Sequence, residues 1–511
     1  MKEPGSDAIE RYRTQGRAKG AEEQAALEIP GDDFILACAE AGEAGDADLF
    51  GHFYQDRLCF DHAIKSWFSY AGHFWQRCEL NEPLALVGSL ADHYLKAAKK
   101  YFFRRLNAEK AGDEKAAKAA ARAEKILMGK VPLLRRRQHR ANVLVLAAAG
   151  ENSLGITGKE WDSKPLLGCL NGVINRQSGE FRDGKPDDFI KKYCPVIWKG
   201  FDATAPKWEA FLIEIMDGDL ERIGFIKRAF GYIISGTVIE HIFLVLWGHG
   251  RNGKGTLLEI IAEILGAKAG PVPAEMLLQQ KHPRSASAPS PEIIALMGLL
   301  LAWASEVGEG RRYDAGRLKW FSGGDSLTGR EAYGSLVTFK PTHTLVLLTN
   351  YKPSGNTGDE ALWARILSVR FPLKFVDSPS KAHERQINRN LREELREEAP
   401  GILAWLMSGY YEWLEKGLAP PSSILSETDE YRRSDDSIQH FLQECCTLDQ
   451  GNAARAQELF EAYDSFCEGT GFKPKGKRTF FQRMEKEFNK QKDRNGIYYN
   501  GIHINSSDTL V

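Results

Sequence analysis

The chain has 511 residues, a hydrophobic content of 43%, a charged content of 27% and a formal net charge of −1. That length accommodates about three to four domains, and the composition is typical of a globular protein and excludes a disordered or fibrous one. No apolar run approaches the roughly 20 residues that span a bilayer, and the N-terminus lacks the apolar core of a signal peptide. Since the eight cysteines show no paired metal-ligand spacing, we expect reduced thiols, no membrane partner and a cytoplasmic protein.

Composition and hydrophobic spacing divide the chain into five segments. Residues 1–45 are polar and weakly patterned, which predicts a flexible N-terminal arm. Residues 46–150 carry apolar side chains at helical spacing and predict a helical, basic N-terminal domain. Residues 151–235 predict a mixed domain, and residues 236–418 alternate apolar strands with helices, which is typical of a parallel α/β core. Residues 424–511 combine helices with a final β-hairpin and predict a winged helix-turn-helix.

A glycine-rich stretch after an apolar run gives the strongest functional signal. Residues 248–256 read Gly-His-Gly-Arg-Asn-Gly-Lys-Gly-Thr and lie between the apolar run 241–247 and a segment with apolar side chains at helical spacing. Strand, glycine-rich turn and helix in this order predict a phosphate-binding loop, because the glycines let backbone N–H groups surround phosphate oxygens. The residues predicted to bind ATP are Gly248, Gly250, Asn252, Gly253, Lys254, Gly255 and Thr256.

Polar residues that follow apolar runs supply candidates for nucleotide hydrolysis. Ser305 and Glu306 follow the run 299–304, and the Glu306 carboxylate can hold a metal-bound water or act as a base. Asn350 ends a second run and suits a contact to water or to the γ-phosphate. Arg365 follows and can act in trans on a neighbouring subunit's nucleotide. The alternatives are that Glu306 is a surface carboxylate, that Asn350 belongs to an ordinary turn and that Arg365 forms a surface ion pair. The predicted catalytic residues are Lys254, Glu306, Asn350 and Arg365.

The predicted Mg²⁺ site departs from the usual pattern. Gly255 stands where a Ser or Thr normally offers its hydroxyl to the ion. The hydroxyl ligand is then either Thr256 or absent, with water in its place. We predict Thr256 and Glu306 as the protein ligands of Mg²⁺.

Basic residues predict DNA contacts in three regions. Arg330 and Tyr333 lie near the tip of a glycine-broken stretch before a strand. This stretch predicts a hairpin whose basic and aromatic side chains can grip a backbone and stack bases. Lys477 and Arg478 belong to a basic stretch in the last segment that suits phosphate contacts. Residues 96–140 contain fifteen Lys/Arg against four Asp/Glu, which indicates either an exposed helical face or a surface for a polyanion. For the stretch around Arg330, the alternative is an ordinary insertion. For the last segment, the alternative is a winged helix that contacts protein.

Together these motifs resemble those of the phage/plasmid and poxvirus-type replicative primase–helicase family. Its helicase half belongs to helicase superfamily three, within the AAA+ class. The resemblance runs roughly from Asp48 to His503. The segments that resemble family motifs are the phosphate loop 248–256, the Walker B end 305–306, the third motif 319–330, the sensor-one motif 349–353, the arginine segment 359–371 and the pre-motor stretches 171–180 and 211–236.

The resemblance implies an α/β fold in which an AAA+ P-loop motor with a parallel sheet follows an N-terminal helical collar and a mixed pre-motor domain, with a winged-helix-like domain at the C-terminus. It implies an ATP-dependent replicative DNA helicase that forms a ring, usually a homo-hexamer, and moves 3′ to 5′ on single-stranded or forked DNA. We expect it to serve a phage or mobile element in a bacterial host cell. An ATP-switched origin-binding initiator and a non-catalytic DNA-binding scaffold are the alternatives.

Two departures from the family pattern affect the expected chemistry. Fewer than 50 residues precede the part that resembles the pre-motor domain. We therefore expect no primer synthesis, and a separate primase or polymerase could be a partner. Asp46 and Asp48 nevertheless have the spacing of a metal-binding acid pair. Ser305 replaces the acid that many relatives carry before Glu306, which leaves fewer ligands for Mg²⁺.

Overall fold

A computed structural model provides the structure of the protein. It describes residues 30–151, 153–280, 289–305, 308, 310–330, 336–355, 357–434, 436–470, 474–494 and 496–505. The predicted site residues Glu306 and Tyr333 lie outside the described residues. The chain forms two compact units, the first with residues up to Ala203 together with 263–268 and 399–404, and the second with the remainder.

The first unit is built on a layer of five helices. They are α1 (Asp32–Glu40), α2 (Gly42–Tyr54), α3 (Glu82–Ala111), α4 (Glu114–Leu133) and α5 (Arg137–Ala147). Val87, Leu90 and Tyr94 recur at helical spacing on α3 and are fully buried in the core of this unit. A two-residue turn joins α3 to α4, because Gly112 adopts a φ of 76° and the Asp113 carboxylate accepts a hydrogen bond from the Ala116 N–H.

The N-terminal arm predicted for residues 1–45 is wrong over its last part. Helix α1 and the start of α2 occupy residues 32–45, and Ile35, Cys38 and Ala39 join the buried core. Small and polar residues surround this apolar set, which is why the sequence pattern is weak there. Ordered structure therefore begins well before residue 46.

Short strands complete the first unit. They are β1 (Leu58–Asp61), β2 (Ser66–Tyr70), β3 (Trp75–Arg77), β4 (Gly155–Ile156), β5 (Leu166–Cys169), β6 (Gly172–Asn175) and β7 (Phe181–Arg182). One sheet has the order β3-β2-β1-β4, and β5-β6-β7 form a second, antiparallel sheet. Strands β1–β3 interrupt the segment that was predicted to be helical. Strands β6 and β7 pair antiparallel within the stretch 171–182.

The second unit contains a five-stranded parallel sheet, as the alternating pattern of strands and helices predicts. From residue 204 to 434 the elements are α6 (Pro206–Ile215), α7 (Leu220–Ser235), β8 (Phe243–Trp247), α8 (Lys254–Leu265), β9 (Ala269–Pro271), α9 (Pro291–Ile294), β10 (Leu301–Ala304), α10 (Ala315–Phe321), β11 (Leu327–Arg330), β12 (Leu336–Phe339), β13 (Thr344–Thr349), α11 (Glu360–Trp363), β14 (Ile366–Arg370), β15 (Lys374–Val376), β16 (Glu384–Gln386), α12 (Leu391–Glu397), α13 (Ala399–Lys416) and α14 (Ser422–Ser434).

The strand order of this sheet is β14-β8-β13-β10-β9. Its strands are nearly continuous apolar runs because a parallel sheet is covered on both faces, and all six residues of β13 are buried. Parallel strands place their carboxyl ends at one edge of the sheet, so the loops after β8, β10, β13 and β14 share that edge. The loops that carry Lys254 and Asn350 therefore meet there, whereas Arg365 precedes β14 at the other end of the strands and Glu306 lies outside the described residues.

Helix α14 lies against β14, the edge strand of the parallel sheet. The Thr428 hydroxyl accepts a hydrogen bond from the Ser368 N–H at 3.0 Å, and the Glu427 carboxylate accepts one from the Arg370 N–H at 3.1 Å. Side chains of α14 thus satisfy two backbone donors of the edge strand. The predicted start of the last segment, residue 424, falls inside this helix.

The C-terminal part has the element order helix, strand, helix, helix, strand, strand. These elements are α15 (Ser437–Cys445), β17 (Cys446–Arg455), α16 (Ala456–Thr470), α17 (Lys477–Glu487), β18 (Asn489–Asp493) and β19 (Gly496–Ile504). Strand β19 lies between β17 and β18 in an antiparallel sheet. Phe441, Tyr463 and Phe480 form its aromatic core. The antiparallel β18–β19 pair confirms the final hairpin, and the winged helix-turn-helix stays a prediction.

The composition led to two expectations, one about membrane-spanning helices and one about the cysteines. Within it, no helix combines the length and the apolar character needed to cross a membrane. All eight cysteines lie in the described ranges and are free thiols.

Candidate functional site

The glycine-rich loop connects β8 to the N-terminus of α8, as predicted. The loop covers residues 248–253, and the helix begins at Lys254. Gly253 has a φ of 86°, and a Cβ placed on it would lie 2.5 Å from the Ile215 side chain. Only glycine fits both constraints without strain. The free N–H groups at the start of α8 make this end of the helix attractive to an anion.

Lys254 and Asn350 are brought together from loops that follow adjacent strands. The Lys254 Nζ donates to Asn350 Oδ1 at 2.7 Å and to the Gly248 carbonyl at 3.0 Å. Burial lowers the pKa of Lys254. Glu306, the carboxylate predicted at this edge, lies outside the described residues. Among the residues that the structure describes, the ammonium donates to neutral oxygens that a triphosphate could replace.

Asn252 forms the floor of the loop. Its side chain is 2% exposed, and its Oδ1 lies 3.4 Å from both the backbone N and the Nζ of Lys254. Its Nδ2 is buried without a hydrogen-bond acceptor among the described residues. An unsatisfied buried donor is uncommon, and here it adds to the positive potential of the loop.

The residues available for Mg²⁺ are few. Thr256 is the third residue of α8 and is partly exposed, and a Cβ at Gly255 would have no neighbour within 4 Å. Crowding therefore does not explain the missing hydroxyl at position 255. Across the described ranges, no group of three or more His, Cys, Asp or Glu side chains could hold a metal ion. The donors that fit Mg²⁺ are oxygens of Thr256, water and phosphate.

Arg365 and Lys254 lie at opposite ends of the strands of the sheet. Arg365 precedes the amino end of β14, whereas Lys254 follows the carboxyl end of β8. The Arg365 carbonyl accepts the Phe243 N–H at 2.7 Å, and the Arg365 guanidinium donates to the Ala361 carbonyl at 2.6 Å. The sheet register pairs Ile366 with Phe243 at the start of β8. A strand of five residues spans about 15 Å, so Arg365 is not placed to reach phosphate bound at Lys254 of its own subunit.

A cation–π cluster lies at the carboxyl ends of the strands, on the same side of the sheet as Lys254. Its residues were not among the predicted site residues. The Lys352 Nζ lies 3.9 Å from the ring centroid of Trp247 and 4.7 Å from that of Tyr431. The Arg370 guanidinium lies 5.5 Å from the same Trp247 ring. Burial lowers the pKa of Lys352. The motif around Asn350 contains Lys352, but its partners come from other strands and from α14.

A second unpredicted contact joins two motifs. The Lys319 Nζ forms an ion pair with the Asp359 carboxylate at 3.0 Å. Asp359 also caps α11 by accepting a hydrogen bond from the Leu362 N–H. The third motif and the arginine segment are therefore fixed to each other near the base of the predicted hairpin.

The hairpin that was predicted to carry Arg330 is present. Strands β11 and β12 are antiparallel, and Arg330 pairs with Leu336. The Arg330 carbonyl accepts a hydrogen bond from the Ser290 N–H at 2.8 Å, which ties the hairpin to the residue before α9. Arg330 is partly exposed. Residues 331–335, which include Tyr333, lie outside the described residues.

Lys477 and Arg478 are the first two residues of α17, and both are exposed. The opposite face of the helix buries Phe480 and Met484 in the aromatic core. The ammonium of Lys477 lies 5.3 Å from the Phe460 ring centroid. The two predicted DNA contacts therefore share the outer end of one helix.

Asp46 and Asp48 do not form a metal site. Asp46 is fully buried and accepts hydrogen bonds from Tyr94, Lys130 and His139 at 2.6–2.9 Å, whereas Asp48 is exposed. Residues two apart on a helix face different directions. The two carboxylates therefore do not act as a pair of metal ligands, and Asp46 has a structural role.

Comparisons with known proteins identify two family segments. Residues 47–217 match the model "D5 N terminal like", and residues 433–505 match the model "Poxvirus D5 protein-like". A protein of Acanthamoeba polyphaga mimivirus named "Putative helicase" is 28% identical over 366 residues, which cover 68% of this chain and 38% of that protein. A "Putative primase" of African swine fever virus is 24% identical and covers 60% of this chain and 33% of that protein.

The matched region thus spans about a third of the length of these curated relatives. Both relatives come from viruses of eukaryotes, so the predicted bacterial host is not supported. Among solved structures, the apo structure of the NrS-1 C-terminal region is 14% identical, with a TM-score of 0.36, over 59% of this chain and 76% of that one.

Proposed function

We propose that this chain, which matches the models "D5 N terminal like" and "Poxvirus D5 protein-like", is an ATP-driven replicative DNA helicase. Its relatives include viral proteins named as helicase or primase, which supports a role in DNA replication. The observation that carries the proposal is the 2.7 Å contact between Lys254 and Asn350 at the N-terminus of α8. A glycine-rich loop, a lysine and an asparagine amide meet there at one edge of a parallel sheet.

ATP is the proposed substrate of this site. Lys254 and the N–H groups at the start of α8 would bind its phosphates, and Asn350 would orient the attacking water. Mg²⁺ would be held by the Thr256 hydroxyl, water and phosphate oxygens, with Glu306 as the proposed acid. When bound, the ion neutralises charge that develops on the phosphates.

Arg365 supports a ring in which neighbouring subunits share each site. Because it lies about one strand length from its own phosphate loop, we assign it to the nucleotide of the next subunit. A homo-hexamer is the proposed assembly. Arg330 on the hairpin, Lys477 and Arg478 are the proposed DNA contacts, and movement from 3′ to 5′ is the proposed direction.

The test is ATP hydrolysis and strand displacement by the purified chain. We expect forked DNA to stimulate hydrolysis, and displacement to require a 3′ single-stranded tail. Lys254→Ala should reduce hydrolysis at least about a hundredfold, because one charge-stabilising group is removed from the reaction centre. Lys374→Ala, at an exposed lysine on β15, is the matched control and should retain the wild-type rate. Hydrolysis that ignores DNA, or that survives Lys254→Ala, would rule out the proposal.

A further inference from the structure

The long helix α3 carries a basic stripe on the side away from its core. Lys96, Lys99, Phe103 and Lys110 recur at spacings of three, four and seven residues, so they share one face. All four are exposed. The opposite face is buried in the core of the first unit through Val87, Leu90, Tyr94, Ala97, Ala98 and Tyr101.

Phe103 is a large apolar side chain in the middle of this charged stripe. It is 61% exposed, and its ring contacts the Phe102 ring edge-on at 5.5 Å. A single exposed ring is common on protein surfaces. An exposed ring flanked by lysines on the same helical face is a combination that binds single-stranded nucleic acid. Bases stack on the ring, and the cations contact the phosphate backbone.

Acidic side chains neutralise the neighbouring face of α3 but not the stripe. Lys100 and Arg104 form ion pairs with Asp32, at 2.8 and 2.9 Å. Arg105 pairs with Glu124 at 3.1 Å. Across the ranges that the structure describes, Lys96, Lys99 and Lys110 take part in no ion pair. Their charges therefore remain available to a polyanion.

Helix α4 repeats the pattern. Lys115, Lys118, Arg122 and Lys125 lie at spacings of three, four and three residues, and all are exposed. Only Lys118 has an acidic partner among the described residues, Glu114 at 3.4 Å, and an exposed pair of this kind is weak. The hairpin of α3 and α4 therefore presents two basic stripes, and the first of them contains the exposed ring.

We propose that the basic stripes of α3 and α4 bind single-stranded DNA, with a base stacked on Phe103 and phosphates at Lys96, Lys99 and Lys110. The stripe on α3 is about 21 Å long, since each helical residue advances about 1.5 Å, so several nucleotides fit along it. The inference rests on the proposed helicase function and adds a third DNA contact, remote in sequence from Arg330 and from α17.

The experiment measures binding of labelled oligo-dT to the full chain in a Lys254→Ala background, so that ATP turnover plays no part. We expect Phe103→Ala to weaken binding about 5- to 100-fold, the usual effect of losing one stacked base, and Phe103→Trp to restore it. The triple change of Lys96, Lys99 and Lys110 to Ala should lower the slope of log affinity against log salt by about 2, given about 0.7 per lost phosphate contact on single strands.

A matched triple variant controls for net charge. Lys159, Lys199 and Lys416 are exposed lysines outside the stripe, and changing them to Ala should leave the salt slope unchanged. Phe103→Ala should not weaken binding of a blunt duplex, whose bases are already stacked. Equal loss of affinity in the two triple variants, or wild-type binding by Phe103→Ala, would overturn the inference. Because no ATP is hydrolysed here, failure of the helicase proposal would be recognised separately by the hydrolysis assay.

Discussion

His343 is a buried titratable residue immediately before β13. It is 1% exposed, and burial lowers its pKa from 6.5 to about 4. Between those pH values the unfolded chain binds a proton that the folded chain does not. The contribution of His343 to stability is therefore fully present above pH 6.5 and is lost as the pH drops toward 4, by up to about 3 kcal/mol. Urea unfolding followed across this pH range should show the loss.

His343→Phe should reduce that pH dependence, because the variant has no proton to bind at this position. His383 is exposed, so His383→Phe is the control and should retain the wild-type profile. If the His343→Phe and wild-type curves have equal slopes between pH 6.5 and 4, burial of His343 is not the cause of the acid sensitivity.

At the scale of single residues, the sequence predicts the position of a side chain where the order of neighbouring strands and loops determines that position. Lys254 and Asn350 each follow an apolar strand, and parallel strands bring such ends together, so their proximity could be predicted. The side chain of Ile215 that restricts Gly253 comes from α6. The stacking of Lys352 on Trp247 depends on the sheet register. Neither contact has a local sequence signal.

Four helices of the first unit meet at the buried carboxylate of Asp46. It accepts hydrogen bonds from Tyr94 on α3, Lys130 on α4 and His139 on α5. Asp46→Ala would leave the Lys130 ammonium buried without its counter-charge, and removing one partner of such a pair costs about 3–5 kcal/mol. We expect a loss of that size in the free energy of unfolding of this unit, measured by hydrogen exchange in α2–α5.

The double variant of Asp46→Ala with Lys130→Met tests the electrostatic cause. Since Met removes the unpaired charge and keeps most of the side-chain volume, the double variant should be more stable than Asp46→Ala alone. A double variant that loses the sum of the two single effects would show that packing and not charge dominates at Asp46.

The β11–β12 hairpin is the element that we expect to contact DNA during translocation. Arg330 lies at the last pair before its turn, where a guanidinium can contact a phosphate. Arg330→Ala should slow strand displacement and lower the stimulation of ATP hydrolysis by DNA. Arg317→Ala, on the nearby helix α10, is the charge-matched control. Wild-type displacement by the Arg330 variant would exclude this contact.

Among the elements, long periodic helices and fully apolar strands were predictable, whereas short aromatic strands were not. The apolar residues of α3 keep helical spacing through many turns. Strands β1–β3 contain only three to five residues each, too few to show alternation. Their aromatic side chains pack on other elements of the unit. Because this packing decides that the residues form strands, a short window of sequence does not reveal it.

At the scale of the whole molecule, the position of Arg365 makes a prediction about assembly. Lys254→Ala and Arg365→Ala should each abolish ATP hydrolysis, the second because removing an arginine finger costs about 10³–10⁵ in rate. Mixing the two variants should restore part of the activity, since about a quarter of random subunit contacts pair an intact loop with an intact arginine. The rate of the mixture against each variant alone is the measurement.

The control replaces Arg365→Ala by a chain that carries both substitutions. Mixing it with Lys254→Ala leaves no complete site at any contact, so no activity should return. Mixed oligomers that form but remain inactive in the first experiment would show that Arg365 serves its own subunit or has no role in hydrolysis.

The hydrogen bonds from β14 to α14 also determine where the chain can be divided. Thr428 and Glu427 accept the outward N–H groups of Ser368 and Arg370, so the helix shields a strand edge that would otherwise be free to recruit another chain. A fragment that stops at the proline-rich segment near residue 421 should therefore precipitate through edge-to-edge pairing. One that extends to Ser434 should stay in solution, and light scattering of the two fragments would distinguish these outcomes.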